Sequence, residues 1–335
     1  MRTERIGSVL HGAYGDYYEQ LVSLRYMKRK NPDLKIILFY ANDLRMKELA
    51  VYDHSFAEEV HSHSEITTVP VDRFHQFQIR AEELRTDVLE HLPAEILSKF
   101  DRDRNLKPWH IIRKSWREDP DLCDLPLSDF GKRRLPEVEA ENQIPPDVFD
   151  RHFTVGFLWR YRRPGGAISA AGQPASELLY RERSILFTRL VEEFNAHILV
   201  CGMGIKTTDE NRDRTDNKYD SRTMDLPAGS VTYLQGLSWG LELETQRRCD
   251  LSVVMASGFS EALWLKRRGR AIIAVDTPRD YIRRQLWNRM PFFNLLNPNE
   301  LAFQLRQPHT AERVYKRLAR KGLLPKAAGS MKTVR

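Results

Sequence analysis

Three short stretches of the chain combine residue types that could hold an anion or move a proton. The first, His11-Gly12-Ala13-Tyr14-Gly15-Asp16, follows a short β-type run. Gly12 and Gly15 let backbone approach a ligand closely, and a following helix offers unpaired N–H groups to a negative charge. Asp16 reads two ways. As a general base it would take a proton from a hydroxyl; as a helix cap it would accept backbone N–H bonds, worth about 0.5–2 kcal/mol. His11 is a polar site residue or a structural histidine. The spacing is short of the full Gly-x-Gly-x-x-Gly fingerprint, so a nicotinamide cofactor is weakly supported.

The second stretch is Trp159-Arg160-Tyr161-Arg162-Arg163-Pro164-Gly165-Gly166, at the end of the expected strand 153–162. Guanidinium groups take phosphate oxygens in paired, charge-assisted hydrogen bonds, so Arg160 and Arg163 suit a diphosphate. A solvated basic sheet edge is the competing reading. The third is Ala256-Ser257-Gly258-Phe259-Ser260-Glu261, small residues between an apolar run and a helix-like segment. Ser257 and the amides of Gly258 to Ser260 could surround an anion, and Glu261 could accept hydrogen bonds from ribose or hexose hydroxyls. Ser257 stands four residues before Glu261, one too many for a capping box, and a plain serine cap is the alternative. A fourth turn, Gly202-Met203-Gly204, closes another apolar run.

The elements that must position these loops follow from periodicity. Residues 5–10 read as a strand, 17–33 as a helix with Leu21, Leu24, Tyr26 and Met27 on its apolar face, and 34–42 as a buried strand: a βαβ unit and hence a parallel sheet. Residues 43–120 are polar and harder to read, with 66–71 as a candidate strand. The proline-containing segment 136–150 looks like an interdomain connection. A second α/β series then runs as strand 153–162, a loop to residue 176, a helix with apolar positions 178, 179, 185, 186, 190 and 194, strand 196–204, a polar loop to 230, and strand, helix, strand, helix, strand to 278. Thr277 to Asp280, with Arg283 and Arg284, could close the same pocket. The expected organisation is domain 1–150, domain 151–325 and a basic tail 326–335. Ligands of such sheets bind at the carboxyl ends of the strands.

Bulk composition narrows the class. With 335 residues, 41% hydrophobic and 30% charged content, the chain has enough apolar mass for two ordinary cores. No run approaches the ~20 apolar residues of a membrane span, and the first apolar stretch is too short for a signal peptide, so a cytoplasmic protein is expected. Cys123, Cys201 and Cys249 lack the spacing of a disulfide framework or zinc site; buried roles fit Cys201 and Cys249. The Asp-x-Asp spacings at 101–104 and 211–216 read as solvated loops, and no metal is expected. A formal net charge of +7 points to an anionic partner: a sugar nucleotide, a phosphorylated glycan, an anionic membrane surface or nucleic acid. Trp109 and Trp116 among basic residues would suit nucleic acid, although a packed amphipathic helix accounts for them better.

The order of the C-terminal elements resembles the nucleotide-sugar-binding half of two-Rossmann-domain (GT-B) glycosyltransferases, especially the heptosyltransferase-like group. There a strand ends in Asp-(Ser/Thr)-Gly-x-x-His, enters a helix and leads to a strand with a Gly-Pro-Thr-Asp-like turn. Ser257-Gly258 match the centre of that motif; Ala256 stands in place of the acidic residue and Glu261 in place of the histidine. The segment 234–238 resembles what precedes the motif. At the N-terminus, Gly15-Asp16 and the later Leu24-Arg25 and Pro32 resemble the family's Gly-Asp start. The resemblance implies an α/β fold of two Rossmann-like domains facing across a cleft. The earlier domain would take an acceptor, such as a glycan hydroxyl, and Asp16 would be its base. The later domain would bind the nucleotide-sugar co-substrate through Arg160, Arg163, Gly202, Gly204 and 257–261. Inverting, metal-independent transfer with no permanently bound cofactor is expected. A nucleotide-sugar epimerase or hydrolase of the same fold, or a nucleic-acid-binding protein, are the alternatives.

Overall fold

The computed structural model of the chain describes residues 4–77, 92–100, 107–158, 161–162, 172–203, 217–218, 226–235, 237–255, 258–266, 272–275, 301–302 and 310–325. The chain divides into two compact units, Met1–Arg133 and Arg134–Arg335. The division falls inside the helix Asp129–Glu141.

The N-terminal unit is built on four parallel strands: β1 (Arg5–Leu10), β2 (Lys35–Tyr40), β3 (Glu59–Ser62) and β4 (Arg73–His75), in the order β3-β2-β1-β4. Helix α1 (Tyr14–Lys30) joins β1 to β2 and is buried along most of its length, including Leu21, Leu24 and Tyr26. It is covered because α4 (Pro108–Glu118) packs on it: Ile112 and Ser115 are buried, and the Ser23 hydroxyl donates to the Pro108 carbonyl at 3.2 Å. The Trp109–Trp116 segment is thus an amphipathic packed helix. Arg25 organises the turn at 120–124, donating to the carbonyls of Asp121, Leu122 and Asp124 at 2.8–3.2 Å. On the other sheet face, Val9, Ile37, Phe39, Ile66, Val71, Phe74 and Ile96 form the core. Helices α2 (Asp43–Leu49) and α3 (Ala94–Ser98) are short.

Residues 66–71 are not the expected strand. The Glu65 carboxylate accepts the Ser62 N–H at 3.0 Å and the chain turns through a 3-10 segment at His63–Glu65, so Ile66 and Val71 reach the core from a turn. The expected connection at 136–150 is partly helical. Helix α5 (Asp129–Glu141) runs through Pro136, and α6 (Val148–Arg151) follows. Arg248 explains why this segment goes with the later unit, because it pairs with Glu139 and lies 3.9 Å from the Phe149 ring centroid.

The C-terminal unit has a six-stranded parallel sheet: β5 (Phe153–Leu158), β7 (Ala196–Met203), β9 (Val231–Gln235), β10 (Leu251–Met255), β11 (Ile272–Val275) and β12 (Leu301–Ala302), in the order β12-β11-β10-β5-β7-β9. A ribbon pairs β6 (Tyr161–Arg162) with β8 (Asn217–Lys218), so two residues of the expected polar loop lie in a strand. Helix α7 (Gly172–Phe194) begins five residues earlier than expected. Its inward face is Leu186, Phe187 and Leu190, while Ile185 is 45% exposed; position 185 lies about 100° round the helix from 186. These residues pack with Phe153, Val155 and Phe157 of β5 and with Ala311, Val314 and Leu318 of the last helix, α10 (Thr310–Arg320). Its first turn is capped by the buried Glu182 carboxylate, which accepts the Ala311 N–H at 2.8 Å. The opposite sheet face carries α8 (Trp239–Arg248) and α9 (Gly258–Lys266). Gly156 admits the close approach of α8: a Cβ there would sit 3.0 Å from Gln246 Oε1 and 3.1 Å from Cys249 Sγ. Cys123, Cys201 and Cys249 are all buried thiols.

Candidate active site

Strand order sets where the carboxyl ends of the described strands lie. In the N-terminal unit the chain lays down β1, β2 and β3 to one side and then returns to put β4 on the other side of β1. In the C-terminal unit it lays down β5, β7 and β9 to one side, then β10, β11 and β12 beyond β5. In open α/β sheets ligands usually bind at the strands' carboxyl ends, beside the point where the order reverses. His11 to Asp16 follow β1. Residues 159–163 follow β5, and 256–261 follow β10. Gly202 lies within β7, beside β5. Among the described residues, His11 to Asp16 thus leave a strand that flanks a reversal point, and Gly258 to Glu261 open the helix after another.

The N-terminal loop is held by hydrogen bonds. Gly12 has φ +99°, a left-handed conformation, and a Cβ there would lie 2.8 Å from Asp16 Oδ2. Both facts require glycine. Gly15 is buried in the first turn of α1. Asp16 is half-buried, and its Oδ2 accepts the Ala13 N–H at 2.7 Å, satisfying a donor at the helix start. The helix-cap role is therefore present. His11 is buried; its Nε2 is 3.1 Å from the Phe77 carbonyl, which can only accept, so Nε2–H donates. That bond ties the exit of β1 to the exit of β4 across the reversal point. Gln20, fully buried, donates from Nε2 to the His11 carbonyl at 2.7 Å and to the Asp16 carbonyl at 2.9 Å.

Beside this loop Tyr17 stacks on Tyr40, with centroids 5.5 Å apart at 18°. Burial pushes the Tyr17 phenol up to about 12 against the lowering effect of Arg45, so it stays neutral at physiological pH. The Arg45 guanidinium lies 5.1 Å from the Tyr14 ring centroid and 5.3 Å from that of Tyr17. Behind them the Tyr40 hydroxyl is 2.6 Å from His54 Nε2, and His54 Nδ1 is 2.8 Å from the Tyr52 carbonyl. The carbonyl assigns the proton to Nδ1, so Nε2 accepts from Tyr40. Burial holds His54 below its ordinary value of 6.5.

The C-terminal site helix is held by burial. Phe259 meets Trp239 edge-on at 5.7 Å, and both are buried. At its other end Lys266 Nζ is 2.8 Å from Glu244 Oε1, each side chain 1% exposed. Arg247 Nε adds a contact to the other Glu244 oxygen at 2.9 Å. Gly258 opens α9, Ser260 is fully buried and Glu261 is half-buried in the first turn. Arg160, Arg163, Gly204 and Ser257 lie outside the described residues, as do 277–284 and the Asp-x-Asp spacings at 101–104 and 211–216. Among the described residues no group of three His, Cys, Asp or Glu is placed to hold a metal, and no helix is long and apolar enough to cross a membrane.

Sequence reasoning missed Gln20, Arg45 and the Lys266–Glu244 pair. Gln20 gave a faint signal, a polar residue one turn after Asp16 on an apolar helix. The ion pair gave none, since its partners meet only when α8 packs on α9.

No family model and no curated protein sequence matches the chain. Solved structures do match. ADP-heptose LPS heptosyltransferase II of E. coli aligns with 96% of this chain and 98% of its own, at 12% identity and a TM-score of 0.53. The E. coli heptosyltransferase WaaC, solved with ADP, aligns with 95% of this chain and 98% of its own, at 14% identity and a TM-score of 0.53. A glycosyl transferase family 9 structure from Veillonella parvula aligns with 97% of this chain and 92% of its own, at 13% identity and a TM-score of 0.51. Over nearly its whole length, the chain is a mixed α/β protein that shares the two-Rossmann-unit fold of these GT-B glycosyltransferases.

Proposed function

We propose that the chain is a glycosyltransferase that moves a sugar from a nucleotide-sugar donor to an acceptor hydroxyl, inverting the anomeric carbon and using no resident metal or cofactor. The observation that carries this reading is topological: His11 to Asp16 follow β1 and Gly258 to Glu261 follow β10, strands that flank the reversal of strand order in their units. The likeness in fold to heptosyltransferases, one of them solved with ADP, supports a nucleoside diphosphate as the leaving group.

In this reading the C-terminal unit holds the nucleotide. Backbone donors around Gly202, Gly204 and Gly258 to Ser260, with the Ser257 hydroxyl, take the diphosphate. Phe259 seats the first turn of α9 against Trp239, and Glu261 accepts from a sugar or ribose hydroxyl. Arg160 and Arg163 stabilise the charge that builds on the diphosphate as the bond to the anomeric carbon breaks. In the N-terminal unit, Asp16 takes the acceptor proton as the acceptor oxygen attacks that carbon; the bond to the Ala13 N–H fixes the carboxylate's position. The acceptor is a glycan or another hydroxyl compound. The protein works in the cytoplasm, where an anionic membrane surface is a further partner suited to its net charge of +7.

A thermal-shift series with ADP, UDP, GDP and CDP tests the reading. At least one should raise the melting temperature, and no shift with any of them overturns the proposal. With the donor so identified, Asp16→Asn should abolish transfer and keep the nucleotide-induced shift. Loss of folding and nucleotide response together would leave Asp16 as a cap alone.

A further inference from the structure

We propose that Arg45, seated on Tyr14 and Tyr17, binds a phosphate or carboxylate carried by the acceptor whose hydroxyl proton Asp16 takes. The inference rests on the transferase reading and specifies its acceptor. Arg45 lies in the first turn of α2, just past the carboxyl end of β2, the strand beside β1. Its backbone is fixed there, because the Asn42 side chain accepts the Arg45 N–H at 3.1 Å. Its guanidinium lies against the two tyrosines that flank Asp16 in sequence. Tyr17 is locked in turn by its stack on Tyr40. The cation is therefore held against the first turn of α1, the turn that carries the candidate base.

Three observations separate this arginine from an ordinary surface charge. First, among the described residues no carboxylate pairs with its guanidinium. The neighbouring acids are engaged: Asp43 accepts from the Ser62 hydroxyl at 2.6 Å, and Asp16 accepts the Ala13 N–H. Second, a cation in the first turn of a helix opposes the helix dipole, which favours acids there. A side chain kept against that local preference needs a compensating contact. Third, Arg45 is half-buried, open to a ligand on one side and backed by aromatic rings. A planar guanidinium already restrained on those rings loses little further freedom when it grips two anionic oxygens. Cation–π contact alone is the competing account, worth about 0.5–1 kcal/mol at a surface.

The test follows the Arg45 Nε–Hε signal of the full chain by NMR, identified by its loss in Arg45→Met, as probes are titrated. Glucose 6-phosphate and glucuronate pair hydroxyls with an anion; glucose is the neutral control and inorganic phosphate the free anion. At least one sugar acid should perturb the signal and bind at least about tenfold more tightly than glucose, the size expected of a charge-assisted contact. Binding followed by ligand-observed NMR should vanish in Arg45→Met and weaken in Arg45→Lys, which keeps the charge and loses the fork. Equal binding by Arg45→Met overturns the proposal. So does inorganic phosphate binding as tightly as the sugar acids, or no binding by either sugar acid. A nucleoside-diphosphate thermal shift retained alongside a negative result confines the failure to Arg45; loss of that shift in the wild-type chain would mean that the transferase reading itself had failed.

Discussion

Each unit places a stretch after a strand that flanks the reversal of strand order, β1 in one and β10 in the other, and the two are secured by opposite means. After β1, the loop from His11 to Asp16 is fastened by hydrogen bonds from Gln20, His11 and Asp16 itself. After β10, helix α9 is fastened by Phe259 against Trp239 at one end and the buried Lys266–Glu244 pair at the other. A hydrogen-bonded loop can leave a carboxylate half-exposed where a proton must pass. A helix wedged by buried groups keeps its first-turn amides aimed without side-chain adjustment. The contrast teaches that one strand order can carry a half-exposed carboxylate in one unit and a buried helix start in the other.

Breaking the C-terminal fastening should cost most. Lys266→Met leaves the buried Glu244 carboxylate with only the partly exposed Arg247 as partner and should destabilise the unit by about 3 kcal/mol in urea unfolding, the low end for a broken buried pair. Adding Glu244→Leu should restore part of that loss, because it removes the buried carboxylate that Arg247 alone would then pair. If Lys266→Met is near neutral, burial alone holds α9. Next, Gly12→Ala forces a Cβ into the left-handed region and onto Asp16, for a loss of about 1–3 kcal/mol. Wild-type stability in that variant would remove the strain from the N-terminal loop. Gln20→Met keeps the side-chain length and deletes both donors, at about 1–2 kcal/mol; a smaller cost would mean the glycine turn holds itself.

The smallest effect is in pH dependence. His54 titrates below 6.5 in the fold because burial penalises its cation, and its Nε2 accepts from Tyr40. As pH falls through the unfolded value of 6.5, the unfolded chain takes up the proton first. The stabilisation present above that pH is then lost progressively as pH drops toward the folded value. His54→Gln should flatten this acid limb of the stability curve, by no more than about one proton's slope. An unchanged limb would assign it to other groups.

Much of this frame was legible because it is local. The turn at Gly12, the helix from Tyr14 and the strands at 5–10, 35–40, 153–158, 196–203 and 251–255 follow from apolar runs broken by glycine and small residues. What escaped was set by tertiary packing. Residues 66–71 have strand composition, but Glu65 closes a turn before them and the core takes Ile66 and Val71 from that turn. Ile185 looked inward because Leu186 is; the helix faces the sheet with 186, 187 and 190 instead. Asp16 was visible as a cap or a base, and the cap is present. Arg45 was invisible as a site residue, because nothing in 43–49 tells that Tyr14 and Tyr17 will rise beneath it.

Helix α10 carries a consequence for how the chain is made. The inward face of β5 finds its partners on α7 soon after synthesis, but the same core is finished only by Ala311, Val314 and Leu318. The later unit therefore waits on a ribosome for its last helix, while every strand of the earlier sheet has already emerged. Vectorial synthesis should yield a structured first half tethered to an unfinished second one, and that second half is where a chaperone would be needed.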